Sequence, residues 1–346
     1  MANMISYITK RILVTIPMIF ALILLTWTMA QLMPGDPSSF FPRTTPPYVI
    51  EAFRDKWKLD DPWYTQLWVY LQNLSKGDLG KSINVRPGES INTLLLQLIP
   101  RTIEIAFIPI ILIPFIGVKA GVLTVKHRNK WQDSLLRGVA VLGVALPAFF
   151  LGLLLQYIFG YILPNLTGEF INLPIGGLKT AGIGDPPSIT NFRLLDCIIA
   201  NDLTLFMDTV RHLILPITCL TLLSFASITR QTRSSMLDVL EQDYIRTARA
   251  KGCSEKLVLG KHALRNALIP VSTVAIGLGF SLLAGSTIIE ITFNIRALGA
   301  IFVDAIRFND YMLIVGIVQV VGIITIIGNL VTDVAYTIID PRIVYN

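Results

Sequence analysis

Six long apolar stretches limit the fold of this chain more than any other feature. A helix rises 1.5 Å per residue, so roughly 20 mostly apolar residues cross the ~30 Å hydrocarbon core of a bilayer. Ile12–Met33, Ile103–Val125, Leu135–Leu163, Leu213–Met236, Ile269–Phe293 and Met312–Ile339 all meet that length. Apolar runs of this size cross lipid as helices, which bond their own backbone. The expected fold class is therefore an all-α membrane protein with about six transmembrane helices. Only 15% of the residues are charged, against about 25% in soluble domains, so a large soluble core does not compete. Pro17, Pro109, Pro114, Pro147 and Pro216 fall inside the runs, where membrane helices tolerate them.

Lys10 and Arg11 before the first run resemble the start of a signal peptide. The run Ile12–Met33 exceeds the usual apolar region, and Thr28-Met29-Ala30 is a poor cleavage site. An uncleaved first span is expected. Lysine and arginine then orient the chain. The second connection carries Lys126, Arg128 and Lys130, flanked by Lys119 and Arg137. The fourth carries Arg230, Arg233, Arg246, Arg249, Lys251, Lys256, Lys261 and Arg265. The third holds only Lys179, Arg193 and Arg211, and the fifth only Arg296 and Arg307. The positive-inside rule places the second and fourth connections, and with them both termini, in the cytoplasm. The net charge of +6 reflects this loop bias, and nucleic acid is not an expected partner.

The organisation that follows has a first helix within 1–33 and a small extracytoplasmic subdomain at 34–100. A five-helix core spans 101–340, and a cytoplasmic tail covers 341–346. The subdomain is expected to hold helices around Tyr48–Trp57 and Trp63–Leu74. The core carries an external segment, 164–212, rich in Gly, Pro, Asn and Asp and read mostly as loop. It also carries a cytoplasmic loop, 237–268.

Chemistry-bearing motifs are sparse. Cys197, Cys219 and Cys253 form no Cys-x-x-Cys pair, and His127, His212 and His262 are scattered. No metal site and no disulfide framework is expected. No His-Glu-x-x-His, Gly-x-Ser-x-Gly or paired-aspartate motif is present, so an enzyme is not expected. Gly80-Lys81-Ser82 resembles the end of a nucleotide-binding loop, but Ser75 stands where that motif needs its first glycine. The deepest carboxylates, Glu104 near an outer end and Asp333 near an inner one, do not pair into a proton relay.

The most informative segment is Asp243–Pro270. Tyr244, Ala248 and Gly252 recur at helical spacing with Ile245 beside them, while Arg246, Arg249 and Lys251 point elsewhere. Gly252 is placed to end this helix, and Ser254 to cap a second. Two short amphipathic helices in a loop make either a docking knob or a helix lying on anionic lipid. Periodicity does not choose between them.

Asp243-Tyr-Ile-Arg-Thr-Ala-Arg-Ala-Lys-Gly252, with the later His262-Ala-Leu-Arg-Asn-Ala-Leu-Ile-Pro270, resembles the EAA loop of permeases in binding-protein-dependent ABC importers. It is similar to the oligopeptide and dipeptide branch, whose Arg and Thr stand here as Arg246 and Thr247. Met33-Pro-Gly-Asp-Pro37, Gly77-Asp-Leu-Gly-Lys-Ser82, Gly143–Phe150, Asp310-Tyr311 and Asp340-Pro341-Arg342 resemble further family motifs in order. Arg296-Ala-Leu-Gly299 and Asn309 depart from that pattern.

The resemblance implies a type I ABC importer permease fold in a prokaryotic inner membrane. It also implies a peptide substrate, a second permease subunit, two ATPase subunits and an external solute-binding protein. ATP and Mg would be bound by the ATPases and no cofactor by this chain. Tyr244, Ile245, Arg246, Thr247, Ala248, Lys251, Gly252, Leu264 and Arg265 would couple to an ATPase. Burial of Tyr244, Ile245, Ala248 and Leu264 in the partner would matter most, and Gly252 would permit the turn and a close approach. Gln156, Ser281, Ser286, Gln319 and Asn329 are candidates for the substrate path, with hydrogen bonding between helices as their alternative role. The same machinery in close relatives carries nickel chelates, glutathione or oligosaccharides. A secondary transporter is the competing class; it would need an intramembrane charge pathway or broken, inverted halves.

Overall fold

A computed structural model describes residues 2–32 and 36–339. Met33–Gly35 and Asp340–Arg342, two of the motif matches above, fall wholly or partly outside those residues, as does the 341–346 tail. The described chain is helical, with a single isolated strand bridge between Lys81 and Ser90. Six helical segments are long and apolar enough to cross a membrane.

The first is α1 (Ala2–Leu32). It runs antiparallel to the last helix, α15 (Tyr311–Ile339), so that Arg11 meets Asp333 at 2.8 Å and Leu22 lies against Gly322. Between α1 and the next span lie α2 (Pro47–Trp57) and α3 (Trp63–Ser75), as the sequence expectation has them. Prolines open both helices. Left-handed Lys58 ends α2, its N–H bonded to Arg54 O.

The second span, α4 (Ile91–Lys126), begins well before the expected Ile103. It thus takes in the last ten residues of the segment assigned to the subdomain. Ser90 stands at its N-cap position, and polar residues along its first turns do not stop a helix. At about 54 Å, α4 links two separate buried clusters. Its Ile91 end meets one buried cluster, formed by Trp57, Ile83, Leu94, Leu298, Leu313 and neighbours. Its Lys126 end meets another, around Met236, Ile245 and Val258.

The expected third span, Leu135–Leu163, is two helices. Pro147 lacks an N–H and pushes the preceding residue out of the helical region, and Leu146 is extended at ψ 132°. The chain therefore breaks between α5 (Trp131–Ala145) and α6 (Ala148–Tyr157), which continues through a π-turn into α7 (Leu163–Thr167). The loop reading of 164–212 holds only in part. It contains α8 (Arg193–Ile199), and α9 (Leu203–Leu240) starts ten residues before Leu213, with Asp202 accepting a capping bond from Leu205 N at 3.0 Å.

Helices α4 and α9 form the spine of the main core. They approach closely at Gly117-x-x-x-Gly121: a Cβ at Gly121 would lie 2.5 Å from Thr232 Cβ. Small residues at this spacing let membrane helices pack backbone to backbone. After α9 come α10 (Asp243–Ala250), α11 (Glu255–Leu257), a π-turn and α12 (Leu264–Gly285). The chain closes with α13 (Thr287–Thr292), α14 (Leu298–Arg307) and α15.

Two buried carboxyls tie the Ile91 end together. Asp310, fully buried, accepts the Ser82 hydroxyl and the backbone N–H groups of Ile83 (3.0 Å), Asn84 (2.9 Å) and Val85 (2.9 Å). The Gly80-Lys81-Ser82 segment thus opens a nest of N–H donors, the arrangement that holds anions elsewhere, closed here on a carboxylate of its own chain. Glu290, also fully buried, accepts from Thr102 Oγ1 (2.9 Å), Ser286 Oγ (2.7 Å) and Ala300 N (2.9 Å).

Candidate functional site

The segment 243–270 folds against the Lys126 ends of α4 and α9. Helix α10 is two turns long and amphipathic. Ile245 and Ala248, one turn apart, are its buried residues. Ile245 is fully buried and Ala248 is 7% exposed. Both turn towards the chain itself, where Ile245 joins Val125 of α4, Met236 of α9, Val258 and Ala263 of the π-turn and Ala267 of α12. Leu264 packs on the same cluster. The expectation that Ile245, Ala248 and Leu264 bury in a partner is thereby revised, because the nearest apolar surface is the chain's own. Nor do Tyr244 and Ala248 share one outward face.

What remains outward is polar and basic. Tyr244, Arg246, Thr247, Arg249, Ala250, Lys251 and Gly252 are exposed. Arg246 pairs with Asp243 at 3.2 Å and Arg249 with Glu255 at 2.8 Å. The Thr247 hydroxyl donates to Asp243 O at 3.0 Å. Tyr244 is held upright by Asn266, whose Nδ2 donates to its hydroxyl at 2.8 Å. An open groove of about 850 Å³ runs beside it, lined by Tyr244, Lys261, His262, Arg265, Asn266 and Ser272 among others.

Gly252 ends α10 in the left-handed region, at φ +78°. The N–H of Cys253 reaches back to Ala248 O at 3.2 Å, a helix close that favours glycine at this position. A Cβ at Gly252 would meet nothing within 4 Å, so the turn, and no contact inside the chain, requires the glycine. Ser254 occupies an N-cap position but makes no side-chain capping bond; its carbonyl accepts from Leu257 and Val258 instead.

The path candidates separate into two groups. Three are braces: Gln156 donates to Ile175 O (2.6 Å) and Thr292 O (3.0 Å), Ser286 donates to Glu290, and Gln319 accepts from the Tyr70 hydroxyl at 2.6 Å. Ser281, which donates to Leu278 O within its own helix, and Asn329 are exposed on α12 and α15. Glu290 is not among the sequence candidates, although a carboxylate inside an apolar run is itself a signal. At the Ile91 end, a polar cavity of about 460 Å³ is lined by Arg101, Lys179, Asp185, Arg193 and Arg296 among others. There the hydrogen bond from Lys179, opposed by burial and reinforced by Arg193, holds the Asp185 carboxyl below the usual carboxylate range.

A helical chain with six apolar spans and a basic knob between its fourth and fifth spans matches a known family. Over residues 114–345 it fits the binding-protein-dependent transport system inner membrane component, and it belongs to that family of membrane permeases. It is 36% identical over 346 residues to the oligopeptide transport system permease protein AppB of Bacillus subtilis, covering 99% of this chain and 100% of that one. It is 35% identical over 348 residues to the dipeptide transport system permease protein DppB of Alkalihalophilus pseudofirmus, with 99% and 100% covered. It is equally similar, 35% over 345 residues with 99% and 100% covered, to the glutathione transport system permease protein GsiC of Escherichia coli.

Proposed function

We propose that this chain is one permease half of an ATP-driven peptide importer. It works beside a second, similar permease, two ATPase subunits and an external solute-binding protein. The observation that carries this reading is the attachment of α10. A helix pinned through Ile245 to the ends of α4, α9 and the start of α12, and bare on its other side, passes any push or pull on it to three membrane helices. Tyr244, Arg246, Thr247, Lys251 and Arg265 contact an ATPase. Ile245, Ala248 and Leu264 carry the motion inward, and Gly252 sets the turn between them. ATP and Mg belong to the ATPase partners.

Orientation follows from charge. Helices α1 and α15 are antiparallel, so the Ala2 end of α1 and the Ile339 end of α15 share the Lys126 end with the 127–130 loop and α10. Lysine and arginine are concentrated there, which puts that end, and both termini, in the cytoplasm. Ser281 and Asn329 border the path, while Gln156, Ser286 and Gln319 brace its walls. Peptides are the favoured cargo because oligopeptide and dipeptide permeases are among the full-length relatives. Glutathione, carried by another relative, is itself a tripeptide. Nickel chelates, glutathione and oligosaccharides are the alternative cargo. The buried carboxylates Glu104 and Glu290 and the half-buried Asp333 each have separate partners, an arrangement that does not favour a proton-driven secondary transporter.

The test is co-purification of the ATPase subunits with the chain, and stimulation of their hydrolysis by a peptide-loaded binding protein. Gly252→Asp should retain assembly and lose the stimulation. Full transport by the isolated chain, without ATPase partners, would overturn the reading.

A further inference from the structure

A cavity of about 390 Å³ lies between α5 and α9 near the Lys126 end. Ala140, Val141 and Ala226 line its apolar part, and Arg137, Arg230 and Arg233 its charged part. Among the described residues, seven buried side-chain polar atoms lack a partner, and five of them belong to the two helices that bound the cavity: Gln132 Oε1, Asp133 Oδ1, Thr229 Oγ1, Thr232 Oγ1 and Arg233 Nε. Thr229 and Arg233 lie on the cavity wall itself, and Thr229 is only 3% exposed. Polar atoms buried without partners are costly, and the two on the wall call for an occupant.

The charge does not balance either. Asp133, fully buried, takes Arg137 at 3.0 Å and Arg233 at 3.4 Å through the same oxygen. Arg230 has no ion pair among the described residues. Three guanidinium groups therefore line the cavity against one carboxylate, which pairs with only two of them. Water would satisfy the unpartnered atoms but would neither neutralise the excess charge nor suit the apolar wall. Leu135 and Leu142 of α5 are exposed, at 56% and 60%, so that helix offers apolar surface at membrane depth.

We propose that this cavity holds an anionic phospholipid, its phosphate among Arg137, Arg230 and Arg233 and an acyl chain along Ala140, Val141 and Ala226. Basic pockets between membrane helices are where anionic headgroups bind. The orientation argued above decides only which leaflet supplies the lipid. The binding itself is independent of it, and of any transport activity.

The test uses the assembled complex, delipidated in detergent and titrated with phosphatidylglycerol or phosphatidylcholine, with bound lipid counted by native mass spectrometry. Phosphatidylglycerol should be retained preferentially. Arg230→Gln, which breaks no ion pair, should weaken its retention about fivefold, the factor one arginine contributes near an anionic surface. Ala140→Trp should weaken it with no change in charge, and Arg265→Gln, an equal charge change at the α10 groove, should not. Equal retention of the two lipids, or equal loss on Arg265→Gln, would overturn the proposal. So would disulfide capture of a Val141→Cys variant by the second permease, which would mean that a protein helix fills the cavity.

Discussion

The two ends of α4 solve the same problem in opposite ways. At the Ile91 end, the carboxyls of Asp310 and Glu290 are fully buried and receive hydroxyl and backbone donors drawn from distant parts of the chain. At the Lys126 end, Asp133 is equally buried, yet one of its oxygens and four neighbouring side-chain atoms have no partner, and α10 presents basic side chains outward. The first end closes both of these carboxyls within one chain. The second leaves polar atoms and basic side chains for something else to meet. A half-transporter needs both: a fixed frame on one side and an unfinished surface on the other.

The largest effect should come from breaking the finished end. Asp310→Ala leaves the N–H groups of Ile83, Asn84 and Val85 unpaired. At ~1–3 kcal/mol for each buried donor, the loss should reach at least about 3 kcal/mol, read as a lower unfolding temperature and early proteolysis between residues 79 and 90. A loss under about 1 kcal/mol would mean that water replaces the carboxylate and that this end is not closed.

Next, Ile245→Ala should cost about 2–4 kcal/mol, as expected for truncating a buried aliphatic side chain. Tyr244→Phe, which removes only the hydroxyl bonded to Asn266, should change thermal stability little. The two variants thus separate the inward from the outward side of α10. Equal thermal shifts would erase that distinction. Gly121→Val tests the spine that joins the two ends. Its side chain would overlap Thr232 and should cost about 1–3 kcal/mol by overpacking, measured as loss of the monodisperse species on heating.

The smallest effect is electrostatic. Because the Asp185 carboxyl lies below its ordinary value in the folded chain, its contribution is present above the unfolded pKa and is lost as pH falls through the folded one. Hydrogen-exchange protection factors in the 185–196 segment, taken relative to the intrinsic exchange rate at each pH, should be unchanged between pH 7 and 5 and should fall only below about pH 4. A fall near pH 6 would assign the response to some other group.

What could be read from the sequence follows the range of the interactions. Six spans were legible from hydropathy, and α2 and α3 from the turn residues and aromatics around them. The break at Leu146-Pro147 was not, because hydropathy sums the residues on both sides of a proline without asking what the preceding residue must do. Spans cut where polarity rises also miss helices that run on into water. Ser90 and Asp202, both good N-cap types, were the local signals for the true starts of α4 and α9. At α10 the helical spacing was readable, but which residues turn inward depended on Val125 and Met236, far away in sequence. Ser82 and Asp310, 228 residues apart, left no local trace of their pairing.

That last separation has a consequence for how the protein is made. Residues 82–85 leave the ribosome early, yet the side chain that satisfies their backbone is synthesised only after five of the six spans. Until α15 inserts with Asp310 at its head, the loop has no closed state to adopt. The final span therefore fastens the first long connection, and a chain truncated before it would carry that loop open to proteases.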